Sequence, residues 1–331
     1  MAATYKKAGV DIDAGEEVVR RIKTAVRSTF TKNVLADIGM FGAFYNASFR
    51  ALKQPVLVSS VDGVGTKLKI AFMMKRYGTV GQDLVNHCVN DIAVCGARPL
   101  YFMDYFATGA LAPAVAEEVI TGFAEACRQN TCSLIGGETA EMPGFYAKGE
   151  FDMAGMIVGV VEKKKIINGR TIAQGDVLIG LPSTGLHTNG YSLARHVLVP
   201  KYSLRKRMPE LGTTLGDALL AVHRSYLKPI TKLTDSGIVK GMSHITGGGI
   251  VGNTMRILPK GRTLSIDWNA WERPALFSFI QRAGRVPEED MRRAFNNGIG
   301  LIFVVASGNA DRAVRMLRQA KETPIILGEV R

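Results

Sequence analysis

An apolar run at residues 55–61 leads directly into Asp62-Gly63-Val64-Gly65-Thr66-Lys67, and a helix is expected from Leu68. Glycines let backbone N–H groups approach phosphate oxygens, a helix N-terminus favours an anion, Lys67 offers a point charge and Asp62 can hold Mg²⁺. The order Thr66-Lys67 and the spacing are not those of a Walker A loop, and taken alone the segment also reads as an ordinary strand-to-helix turn. Asp91 adds a second acid. It falls on the border of an apolar helical face made by Leu84, Val85, Cys88, Val89 and Ile92, in the last turns before Gly96, where the helix dipole disfavours an anion. Either a lysine from elsewhere or a Mg²⁺ shared with Asp62 would compensate it. A third acid, Glu138, follows Gly136-Gly137 after a short strand; the segment reads as a solvated loop or as a turn presenting carboxylates to a cleft. Three acid-bearing turns are what a metal–triphosphate site would require.

The second half carries a different chemistry. Ser183 through Ser192 is dense in hydroxyls, amide and imidazole, with His187, Asn189 and Ser192 as groups suited to a sugar phosphate or an amide, or else to capping the following helix. His187 could act as a base, as a donor to a developing oxyanion, or structurally. Gly247-Gly248-Gly249-Ile250-Val251-Gly252 fits G-x-G-x-x-G, but Pro259 cuts the following helix short, and the motif sits far from the start of its domain. It reads as a glycine turn at a cleft, with His244, Thr246, Gly247 and Gly248 as candidate substrate contacts.

The elements that must position these groups form two α/β layers. Strands are expected at 55–61, 99–107, 131–135 and 151–161, with helices at 16–28, 81–95 and 113–129, giving a sheet with helices on one face. After the basic Lys163 to Lys165 and Asn168-Gly169, strands are expected at 176–181, 239–245, 263–267, 299–305 and 325–330. The helices between them fall at 191–199, 215–228, 274–283, 288–294 and 310–321. The implied division is an N-terminal arm and helix at 1–29, a nucleotide-binding domain at 30–168 and a C-terminal α/β domain at 169–331.

Composition narrows the partners. The chain has 331 residues and a formal net charge of +13, but the basic residues are dispersed without aromatic interleaving, so a solvated basic surface is expected and no specific nucleic-acid partner. The 4 cysteines form no C-x-x-C pair, which points to a reducing compartment without disulfides or zinc. No apolar stretch approaches membrane-spanning length and no leader-like region opens the chain, so a cytoplasmic protein is expected.

Taken together, Tyr5 through Gly15, Ser60-Val61-Asp62-Gly63-Val64-Gly65-Thr66-Lys67-Leu68, Val89-Asn90-Asp91-Ile92, Ile135 through Gly144, His187-Thr188-Asn189-Gly190-Tyr191-Ser192-Leu193 and His244 through Gly249 resemble the aminoimidazole ribonucleotide synthetase family. They occur in that family's order and span nearly the whole chain. Ile38-Gly39-Met40-Phe41-Gly42-Ala43 departs from a more glycine-rich family loop. The resemblance implies N-terminal domains that pair into a β-barrel in a homodimer, with nucleotide near that interface, and a C-terminal α/β sandwich. It implies an ATP-dependent cyclisation of formylglycinamidine ribonucleotide to aminoimidazole ribonucleotide. Asp62, Asp91 and Glu138 would carry Mg²⁺, Gly63, Gly65, Thr66 and Lys67 would meet the phosphates, and Lys67 and His187 would be the catalytic groups.

Overall fold

The computed structural model describes residues 3–331. The chain divides into two compact units, one comprising the chain before Ala93 together with Arg98–Glu162, the other comprising Ala93–Ala97 and Lys163–Arg331.

The first unit contains α1 (Ile12–Arg27), β1 (Pro55–Gly63), α2 (Lys67–Met74), α3 (Gly78–Ala93, its last residue belonging to the second unit), β2 (Arg98–Thr108), α4 (Pro113–Gln129), β3 (Ser133–Glu141) and β4 (Phe151–Glu162). Its sheet has the order β1-β4-β2-β3 and stays open at both edges. β4 runs antiparallel to β1 and to β2, whereas β2 and β3 are parallel and joined by α4, the long crossover that parallel strands need. Period-two alternation separates the faces. On β1, Leu57 and Val61 are exposed, while Ser60 and Asp62 turn toward the helices.

α3 lays Leu84, Val85, Cys88, Val89 and Ile92 into the interior. Its N-terminus is capped from α4, Glu118 Oε1 accepting from the N–H groups of Tyr77 (2.7 Å) and Gly78 (2.9 Å). A carboxylate there also complements the helix dipole. The two helices approach backbone to backbone: a Cβ on Gly81 would lie 2.2 Å from the Val119 carbonyl oxygen, and one on Gly122 would lie 2.2 Å from that of Gly78.

One expected turn is a strand. Gly136 to Glu141 continues β3, because β2 offers a parallel partner for its backbone groups, with Tyr105 opposite Glu138 and Thr108 opposite Glu141. A sheet partner outweighs the low strand propensity of two glycines.

The second unit contains β5 (Val177–Pro182), α5 (Tyr191–Leu198), a small ribbon of β6 (Arg207–Met208) and β7 (Thr213–Thr214), α6 (Leu215–Leu219), α7 (Leu227–Thr234), β8 (Val239–His244) and α8 (Gly249–Met255). It is completed by β9 (Leu264–Ile266), α9 (Ala275–Gly284), α10 (Glu288–Ala294), β10 (Ile299–Val305), α11 (Ala310–Gln319) and β11 (Ile325–Val330). Five strands pair antiparallel in the order β8-β10-β5-β11-β9. Both faces are covered: Ile179, Leu181, Leu301 and Phe303 join Ile230 and Leu317 in one core, and Leu178, Ile302 and Val304 join Ile250 and Ile172 in the other.

The single helix expected over 215–228 is broken. α6 stops at Leu219 and α7 starts at Leu227 because the segment between is tied to the loop after β5. Thr184 Oγ1 donates to the Val222 carbonyl (2.5 Å) and the Tyr226 hydroxyl donates to that of Pro182 (2.7 Å).

The backbone-to-backbone seam of α3 and α4 has no room for a methyl group. Gly122→Ala is expected to destabilise the protein by about 1–3 kcal/mol or more, read as a lowered urea midpoint with an unchanged slope; an unchanged midpoint would contradict this packing.

Candidate functional site

In the first unit an acidic site forms where β1 meets α3. His87 Nε2 lies 2.8 Å from Asp62 Oδ2 and 3.5 Å from Asp91 Oδ2, and Ser60 Oγ donates to Asp91 Oδ2 at 3.2 Å. The His87 side chain is 4% exposed and that of Asp62 is 42% exposed, so the imidazole forms the floor and the carboxylate reaches solvent. Burial works to raise the Asp62 carboxyl pKa, but the hydrogen bond and charge of His87, with the Gly63 N–H, carry it below its ordinary value. For His87, burial disfavours the imidazolium; the Asp62 hydrogen bond and the charges of Asp91, Asp62 and Asp83 outweigh it and raise the pKa. The partner that Asp91 required thus comes from the same helix, one turn earlier.

The donor chemistry suits Mg²⁺. Two carboxylates and a hydroxyl are hard oxygen ligands, gathered at one point around the His87 imidazole. Glu138 does not join them. Asp62, Gly155, Asp104 and Gly137 are opposite one another across β1, β4, β2 and β3, so Glu138 lies three strands from Asp62, about 14 Å at a spacing of about 4.8 Å. It sits one residue out of that row, on the open face. Of the three acids expected to carry Mg²⁺, Asp62 and Asp91 therefore come together at His87, and the register leaves Glu138 apart within one chain.

Lys67 is also corrected. Its side chain is fully buried, with Nζ 2.7 Å from an Asp83 carboxylate oxygen that is equally buried, so it ties α2 to α3 instead of reaching a phosphate. Burial lowers the Lys67 pKa, and Asp83 opposes that shift. Gly65 and Thr66, by contrast, are exposed at the start of α2, and Gly65 has φ +61° with open space around it. Gly63 ends β1 beside Asp62.

A cleft of about 430 Å³ opens beside β3, lined by Val19, Ile38, Phe41, Asp104, Gly137 and Glu138 among others. Gly137 is required there, since its Cβ would come within 2.4 Å of Asp104 Oδ1. Burial pushes the Asp104 carboxyl up to about 7.

The second unit brings its expected residues together. A Cβ on Gly247 would lie 3.2 Å from Asn189 Oδ1, so the loop after β5 and the loop after β8 are neighbours. His187, at φ +61°, receives the Thr184 N–H on Nε2 (3.2 Å) and stacks on His223 with ring centroids 3.9 Å apart. His223 Nε2 is 3.0 Å from His244 Nε2. Ser192 is exposed on the first turn of α5. Thr246 is engaged internally: its hydroxyl bonds Asn253, whose Nδ2 also donates to the carbonyls of Thr246, Gly247 and Gly249. The glycine cluster serves packing, since a Cβ on Gly249 would fall 1.8 Å from the Arg292 carbonyl oxygen, and α8 has only 7 residues.

Four residues escaped the sequence reading: His87, Asp83, Asp104 and His223. His87 was legible, four residues before Asp91 and therefore on the same helical face. The other three depend on strand register and loop closure.

These features define an α/β enzyme of two family domains. Residues 45–161 match the AIR synthase related protein N-terminal domain, and residues 173–331 match the corresponding C-terminal domain. The phosphoribosylformylglycinamidine cyclo-ligase of Sorangium cellulosum is 52% identical over 100% of this chain and 96% of its own length. That of Anaeromyxobacter sp. is 51% identical over 96% of this chain and 93% of its own. The crystal structure of hydrogenase maturation protein HypE in complex with ATP shares the fold, with a TM-score of 0.65 at 16% identity over 94% of this chain and 85% of that one. The chain belongs to the phosphoribosylformylglycinamidine cyclo-ligase family and is a cyclo-ligase. No described helix is long and apolar enough to cross a membrane.

The raised Asp104 pKa has a stability signature. The folded state keeps the proton that the unfolded chain releases near pH 4, so stability falls as pH rises from about 4 toward 7. Asp104→Asn removes that loss and should raise Tm relative to wild type more at pH 8 than at pH 5. Equal Tm differences at the two pH values would show that Asp104 ionises freely.

Proposed function

We propose that the protein uses ATP and Mg²⁺ to cyclise formylglycinamidine ribonucleotide to aminoimidazole ribonucleotide, with release of ADP and phosphate, in purine biosynthesis. The observation that carries this is identity of about half to cyclo-ligases across both domains. An amide oxygen leaves poorly. Transfer of the γ-phosphoryl group to the formyl oxygen converts it into a phosphate leaving group; the amidine nitrogen then attacks the carbon, loses a proton and closes the ring.

Phosphoryl transfer needs mainly positioning and charge neutralisation. Asp62 and Asp91 would hold Mg²⁺, which when bound neutralises phosphate charge. Gly65 and Thr66 present the start of α2 to the phosphates, and Gly63 keeps the turn before them free of a side chain while its N–H holds Asp62. The ATP complex of the similarly folded HypE supports the choice of nucleotide. In the second unit His187, Asn189, Ser192, His244 and the backbone of Gly247 and Gly248 hold the ribonucleotide, while Thr246 shapes their turn.

A homodimer fits the open sheet face of the first unit. Leu57 and Val61 are 61% and 67% exposed, and the register places Met156, Met103 and Tyr105 beside them. Such a contiguous apolar face is the kind a second copy covers. Glu138 lies on it, so in a dimer it would approach the nucleotide from the interface side. We infer a cytoplasmic homodimer without a specific nucleic-acid partner.

Two measurements test these assignments. Purified protein given formylglycinamidine ribonucleotide, ATP and Mg²⁺ should release ADP one-for-one with cyclised product seen by mass, and Asp62→Asn should slow this on the order of 100-fold; ADP release without cyclised product would discard the substrate. Val61→Lys should shift the mass measured by light scattering from dimer to monomer. A variant that stays dimeric would move the interface elsewhere.

A further inference from the structure

His223 has no part in the chemistry described so far, yet it is the most enclosed member of a histidine cluster. His187, His223 and His244 are 1%, 0% and 6% exposed. The cluster is built by the break between α6 and α7, which swings His223 between the loop after β5 and the end of β8. Strand β10 makes the space. A Cβ on Gly300 would stand 2.6 Å from His187 Cε1 and 2.0 Å from the Tyr226 hydroxyl.

Three imidazoles in contact invite comparison with a transition-metal site, but the geometry disfavours one. The His187 and His223 rings are stacked with an interplanar angle of 13°, so their in-plane lone pairs lie in separate, nearly parallel planes and do not meet at one point between them. His187 Nε2 already accepts the Thr184 N–H. The contact between His223 and His244 is of hydrogen-bond length, Nε2 to Nε2 at 3.0 Å. Two lone pairs at that distance repel and two N–H groups collide, so a single proton lies between the rings. The protonation of one ring therefore dictates that of the other. Thr188 Oγ1, 3.5 Å from His223 Nδ1, faces the opposite edge. When the Thr188 hydroxyl donates there, His223 carries its proton on Nε2 and donates it to His244, whose own proton is then on Nδ1.

We propose that His223 is a positioning residue of the cyclisation site: it holds the His187 ring by stacking and fixes which nitrogen of His244 carries the proton. Substrate would then meet a His244 edge of one defined hydrogen-bonding sense. The proposal rests on the substrate-holding role given above to His187 and His244.

Two substitutions separate the ring from the bond. Phe at 223 keeps a flat ring against His187 and removes the Nε2 proton; Gln keeps a donor near the Nε2 position. In full-length protein labelled with ¹⁵N-histidine, long-range ¹H–¹⁵N spectra of wild type should show one protonated and one bare Nε2 in the His223–His244 pair. His223→Phe should turn the His244 signals into a tautomer mixture and lower kcat about 10- to 100-fold, with KM for ATP unchanged. His223→Gln should restore both the single tautomer and most of the turnover. The proposal is overturned if wild-type spectra show freely exchanging tautomers or two protonated Nε2 atoms, if both variants turn over like wild type, or if both are equally slow. Should wild type form no cyclised product, the proposed reaction fails, and the spectra alone still decide whether His223 sets the His244 proton.

Discussion

Two carboxylates at the seam of a sheet and a helix must be compensated, and in the first unit a buried imidazole does this. His87 reaches both Asp62 and Asp91 from the interior, so the site is held by charge balance at its floor and stays accessible at its rim. Much of the surrounding architecture can be read as the support for that contact. α3 must lie close enough to β1 for the imidazole to touch, and on its other side Gly78, Gly81 and Gly122 let the α3 and α4 backbones meet directly. Lys67 and Asp83 tie α2 to the same helix from within. Breaking either partner of such a buried pair leaves an uncompensated charge, which is why these positions constrain the local structure so strongly.

The second unit solves a different problem. Its sheet is covered on both faces, so its polar residues gather where strands end and loops begin. There the backbone is held by side chains: Asn253 spans the glycine turn, and Thr184 and Tyr226 tie down the segment that carries His223. A loop pinned in this way can present imidazoles and amides at fixed angles, as the positioning of a small substrate demands.

The sequence by itself determined the secondary elements with strong periodicity, the two α/β layers, the dispersed basic charge, and the motif set that marks the family. Asp62, Asp91 and His244 were legible as candidates because each sits at the end of a strand or on the border of a helical face, and His187 because it lies in a loop dense in hydroxyls and amide. His87 was within reach of the same reasoning, being one turn from Asp91.

Tertiary structure decided which of these residues meet. Glu138 and Asp62 look alike in sequence, but strand register puts them three strands apart and on opposite faces, because a shift of one residue along a strand reverses the side chain's direction. Lys67 reads as a phosphate ligand until an acid from another helix claims it in the interior. His223 lies in what looks like continuous helix, and only the bonds from Thr184 and Tyr226 pull that segment out and turn it toward His244. Each of these outcomes depends on a partner more than ten residues away, and no local pattern records such a partner.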